Sequence, residues 1–64
     1  MKQVNVKQGN SQSLVELNGV DDNATLTPSL AIRAARIAAG FSTVTVSDEV
    51  DNFRVTKAGA RRIK

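Results

Sequence analysis

The stretch TPSLAIRAARIAAG, Thr27 to Gly40, constrains this chain most, because it reads as one helix with both ends marked. Thr27 offers its hydroxyl to the first free N–H groups, as an N-cap does. Pro28 falls at the first helical position, where its missing N–H costs nothing and its φ is already suitable. Pro28 also pushes Thr27 out of the α region, which suits a cap. The interior is built mostly of good helix formers. Gly40 follows the last periodic residue and can take the left-handed conformation that ends a helix.

At 100° per residue, Leu30, Ala34, Ile37, Ala38 and Phe41 share one face, and Ser29, Arg33, Arg36 and Gly40 share the opposite one. Ile32 and Ala39 fall between them, so the apolar arc is wider than one flat sheet needs. Alanines recur every four residues at 31, 35 and 39 and at 34 and 38, which lets another element approach closely. The spacing serves either tight packing inside one small domain or a second contact with another copy. For the second contact, Ile32, Ala35 and Ala39 are the candidate interface residues.

Alternating patterns lie on both sides of the helix. Lys2–Lys7 and Ser11–Leu17 flank the turn dipeptide Gly9-Asn10. With that pair as the loop, Val6 faces Ser13, Val4 faces Val15 and Lys2 faces Leu17, which gathers Val4, Val6, Val15 and Leu17 on one face. Leu14 is left on the other. The following VDDNAT is too polar for a strand and reads as a loop. Thr43–Ser47 and Phe53–Thr56 form a second pair, with Val46 opposite Phe53 and Val44 opposite Val55, around an acidic loop rich in turn formers. The tail TKAGARRIK is expected as a short helix capped by Thr56 or as a frayed end. The expected fold class is therefore α+β: a ββαββ antiparallel sheet packed by one helix, in a single domain over 1–64, with the basic tail 57–64 peripheral. The expected core is Val4, Val6, Val15, Leu17, Leu30, Ala34, Ile37, Phe41, Val44, Val46, Phe53 and Val55.

A chain of 64 residues buries only about 60% of the surface its unfolded form exposes. Such domains usually gain support from disulfides, a metal or a partner. Cysteine and histidine are both absent, so there is no disulfide, and the commonest metal ligand and neutral-pH acid–base group is missing. A homodimer is the remaining expectation. No apolar run approaches a membrane span and no signal-peptide pattern opens the sequence, so no membrane partner is expected and the cytoplasm is the expected location.

No catalytic constellation emerges. The serines and threonines have no His or Cys beside them to activate or replace them. Asp21-Asp22 and Asp48, Glu49 and Asp51 sit in expected turns, where Asp is common anyway. Neither acidic run has the oxygen spacing and glycine of a calcium loop, and no glycine-rich turn suited to phosphate is present. The chain is read as non-enzymatic, with no cofactor and no metal.

Charge is unevenly placed. Residues 1–26 hold two lysines against three carboxylates, net −1, whereas residues 27–64 hold seven cations against three carboxylates, net +4. Arg54, Lys57, Arg61, Arg62 and Lys64 form the candidate nucleic-acid-binding surface, with Arg33 and Arg36 on the helix as its extension. Clustered cations gain affinity for phosphates by releasing counterions. Two phenylalanines are the only aromatics, too few for a base-stacking platform, so duplex DNA is the expected partner.

The run FRVTKAG, Phe53 to Gly59, is similar to the junction between wing and last helix in some winged-helix regulators. The helix-turn-helix that such a family implies upstream has no counterpart, since one helix precedes the hairpin. The compact, basic, cysteine-free composition also resembles small accessory proteins of bacteriophages and other mobile elements. The functional expectation is a small DNA-associated accessory or regulatory protein. The alternatives are a protein-interaction module, such as an inhibitor or adaptor, and a minor structural subunit of a phage-like particle.

Overall fold

The computed structural model describes residues 1–40 and 43–63. Five strands and one helix follow in the order β1 (Lys2–Gln8), β2 (Ser11–Leu17), α1 (Pro28–Ala39), β3 (Val44–Ser47), β4 (Asn52–Thr56) and β5 (Gly59–Arg62). The strands make one sheet in the order β2-β1-β3-β4-β5, with every neighbouring pair antiparallel. The fold is α+β, one helix on one antiparallel sheet, as its alternation and helix punctuation require. Both expected registers occur: Val4 opposes Val15 and Lys2 opposes Leu17, while Val46 opposes Phe53 and Val44 opposes Val55. Among the described residues no helix is long and apolar enough to cross a membrane.

The helix begins where its cap predicts. Thr27 is extended, its Oγ1 accepts from the Leu30 N–H at 3.2 Å, and Pro28 opens the first turn. At the other end Gly40 adopts a φ of 65° and its N–H donates to the Arg36 carbonyl at 3.3 Å. Because α1 connects β2 to β3 across β1, it lies over the middle of the sheet and touches all five strands.

The helix face differs from the expected one. Ala31, Ala34 and Ala35 are buried against the sheet, Leu30 is half-buried, and Ala38 and Ile37 are exposed, Ile37 at 60%. The buried stripe is rotated by roughly 70° from the one centred between Leu30 and Ala34, taking 100° per residue. The wide apolar arc allowed either orientation. The alanine stripe wins because the sheet already presents Val4, Val6, Val15, Val44, Val46 and Val55, and small side chains let the helix settle onto them at interior density. Phe41 was expected in the core and lies outside the described residues. Leu26, fully buried at the entry to α1, takes a core place that its polar surroundings concealed.

The tail departs most from expectation. Residues 59–62 are neither helix nor frayed end but a fifth strand, joined to β4 by the two-residue turn Lys57-Ala58. The Ala58 N–H donates to Thr56 Oγ1 at 3.1 Å, so Thr56 closes a turn where it was expected to cap a helix. Gly59, at a φ of 125°, starts the return from a region that essentially only glycine enters. Ala60 then opposes Val55, and Arg62 opposes Phe53 with its guanidinium 5.1 Å above the ring. The Ile63 N–H donates to the Asn52 carbonyl at 3.0 Å. GARR has little intrinsic strand preference; the unpaired edge of β4 and the Phe53 ring order it.

Candidate nucleic-acid interface

Alternation divides each strand between two faces. One face packs under α1. The other carries Gln3, Asn5, Lys7, Gln12, Leu14, Glu16, Thr45, Ser47, Asn52, Arg54 and Arg61, with no helix on it. On this open face the registers line up one lateral row across all five strands: Gln12 opposes Lys7, Lys7 opposes Thr45, Thr45 opposes Arg54, and Arg54 opposes Arg61. At a strand spacing of about 4.8 Å, Lys7 and Arg61 stand roughly 14 Å apart along it.

Lys7, Arg54 and Arg61 are exposed and take part in none of the three ion pairs among the described residues. Arg54 and Arg61 face each other directly across two strands, an arrangement that destabilises a sheet. Their potential is thus directed outward from the open face.

The same geometry separates charge along the strands. Glu16, Asp21, Asp22, Asp48, Glu49 and Asp51, all the acidic residues of the chain, lie toward the end where β2 and β3 finish and β4 begins. A broad groove of about 880 Å³ at that end is lined by Asp22, Asp48, Glu49 and Asp51. Toward the opposite end lie Lys7, Arg54, Lys57 and Arg61, with Arg36 in the last turn of α1. Arg36 and Lys57 both border a cleft of about 360 Å³ between the end of α1 and the β4–β5 turn.

The cations at the acidic end are engaged. Arg62 pairs with Asp51, and Lys2 Nζ lies 3.0 Å from Asp48 Oδ2. The N-terminal amino group is 3.0 Å from Asp22. Arg33 donates to the Asn18 carbonyl at 2.9 Å. Asp48 Oδ1 accepts from the Val50 and Asp51 N–H groups at 2.8 and 2.7 Å. Burial pulls the Asp48 carboxyl upward, but those two backbone donors and Lys2 outweigh it and hold its pKa below the ordinary value.

The seven expected binding residues are therefore not one surface. Arg54 and Arg61 share the open face, Lys57 and Arg36 border the neighbouring cleft, and Arg62 and Arg33 are held elsewhere by Asp51 and Asn18. Lys64 lies outside the described residues. Lys7 belongs to the row although it is not among the seven expected residues. Its phase, opposite to Val4 and Val6, already assigns it to the open face; its alignment with Arg54 needs the β1–β3 register, which no local pattern encodes. Of the expected interface residues, Ala35 is 1% exposed against the chain's own sheet, while Ile32 and Ala39 are half-buried beside it. Ile32 and Ala35 both line the cleft between the end of α1 and the β4–β5 turn.

No family model, curated protein or solved structure matches this chain.

Proposed function

We propose that this chain is a small non-enzymatic, DNA-associated accessory or regulatory protein, acting as a homodimer, which binds duplex phosphates with the basic end of its open sheet face. The observation that carries this reading is the row of Lys7, Arg54 and Arg61 in cross-strand register. An arginine pair placed directly opposite weakens the sheet, and an anion lying over the pair offsets that repulsion. The row spans roughly 14 Å, comparable with the B-DNA major groove at about 12 Å. Gln12 and Thr45 in the same row add neutral hydrogen-bonding groups. The acidic end, repelled by phosphate, orients the sheet on the duplex.

Affinity for duplex DNA should fall with salt, each phosphate contact adding about 0.9 to the slope of log K against log salt. Arg54→Gln with Arg61→Gln should reduce that slope by about 2 and weaken binding to all sequences alike. Failure of the wild-type chain to bind duplex DNA at low salt overturns the proposal and leaves the protein-interaction reading in its place.

A further inference from the structure

We propose that β2 is the dimer interface: it pairs antiparallel with β2 of a second copy about a two-fold axis at Leu14, joining two five-stranded sheets into one. This inference rests on the homodimer reading above and names its contact surface.

The backbone of β2 is set for such pairing. The hairpin turns through two residues, Gly9 and Asn10, so Gln8 and Ser11 close it as a hydrogen-bonded pair. Antiparallel pairs alternate between bonded and non-bonded, so Ser13 and Val15 also bond to β1. At the end of the ladder the Lys2 N–H donates to the Val20 carbonyl at 3.0 Å, while the Leu17 carbonyl accepts from the Val20 N–H. The N–H and C=O groups of Gln12, Leu14 and Glu16 consequently point off the sheet, where no further strand lies among the described residues.

The side chains suit a second copy. Leu14 is the middle residue of the seven in β2, and it is 62% exposed on the open face. An antiparallel pair centred there sets Leu14 against Leu14 of the second copy, Gln12 against Glu16, and Ser13 against Val15. Each opposed pair of 12, 14 and 16 exchanges two backbone bonds. The exposed leucines cover one another, and the Gln12 amide meets the Glu16 carboxylate at both ends. No like charges are brought opposite each other.

The other edge is guarded. β5 is four residues long, carries Arg61 and Arg62, and follows Lys57. Short, cationic edges are how sheets discourage strand addition. β2 has no Lys, Arg or Pro, and its unbroken register with β1 leaves no bulge. The protein leaves open the one edge that is complementary to itself.

The test uses the absence of cysteine in the chain. Opposed residues of a hydrogen-bonded antiparallel pair have Cα atoms about 5.5 Å apart, inside the range a disulfide spans. Leu14→Cys should oxidise to a covalent dimer. Ile37→Cys, equally exposed but on α1, serves as the control. Thiols held at millimolar effective concentration should cross-link on the order of a hundredfold faster than freely diffusing ones at micromolar protein. Light scattering should report a dimer for the wild type and for Ile37→Lys, and a folded monomer for Leu14→Lys. A wild type that stays monomeric at high micromolar concentration overturns the dimer itself. A dimer that survives Leu14→Lys, or equal cross-linking rates for the two cysteine variants, overturns this interface alone. If Leu14→Lys fails to fold, the cross-linking comparison decides.

Discussion

The Lys2 ammonium and the Asp48 carboxylate meet at 3.0 Å with both side chains 9% exposed, joining the first strand to the turn that follows β3. Removing Lys2 leaves the Asp48 carboxylate its two backbone donors but no cation at a site sheltered from water, which costs folding free energy. Lys2→Met should therefore lower the melting temperature sharply. Lys2→Met combined with Asp48→Asn should recover part of the loss, because no uncompensated charge remains. Thermal melts of the three chains measure this.

Asp48 also sets an acid limit. Its pKa in the folded chain lies below the ordinary 3.8, so the folded state prefers the carboxylate. Its stabilising contribution is complete above pH 3.8 and is lost as pH falls through the lower folded value. Wild-type stability should drop in that window, and Asp48→Asn should show a shallower drop from a lower starting point. Parallel slopes for the two chains would assign the acid transition to other carboxylates.

The helix face yields a paired prediction. Ala34→Arg forces a charge between α1 and the valines of the sheet and should unfold the domain. Ile37→Arg, at an exposed position, should change stability by no more than about 0.5 kcal/mol. Leu26→Ala, in the connection before α1, should cost about 2–5 kcal/mol, as a core truncation does. Denaturant titrations rank the three.

Gly59 tests whether β5 is integral to the sheet. An added Cβ there meets nothing within 4 Å, yet the φ of 125° is one that side-chain-bearing residues rarely adopt. Gly59→Ala should cost about 1–3 kcal/mol through the backbone alone. Deleting residues 59–64 should cost more, because it uncovers Phe53 and Val55 and releases Asp51 from Arg62.

The Arg54–Arg61 pair couples stability to binding in opposite senses. Arg61→Gln relieves the cross-strand repulsion and should raise stability by about 0.2–1 kcal/mol, while weakening the salt-dependent affinity for duplex DNA. A variant that melts lower and binds equally well would contradict both halves.

Local chemistry alone determined a good deal of this protein. Thr27, Pro28 and Gly40 delimit the helix, the two-residue turn at Gly9-Asn10 sets the first hairpin register, and the phase of Val44, Val46, Phe53 and Val55 sets the second. Each is a short-range consequence of backbone sterics or of period-two alternation, so each is legible residue by residue. Tertiary structure decided the rest. Which part of the helix's wide apolar arc is buried depends on the valine surface it meets, and that surface took the alanines rather than Ile37. GARR became a strand because β4 had an edge to fill and Phe53 a ring for Arg62 to cover. Lys7 joined Arg54 and Arg61 only because β1 lies beside β3 in one register. Pairing between strands distant in sequence is a property of the whole sheet, and no window of the chain contains it.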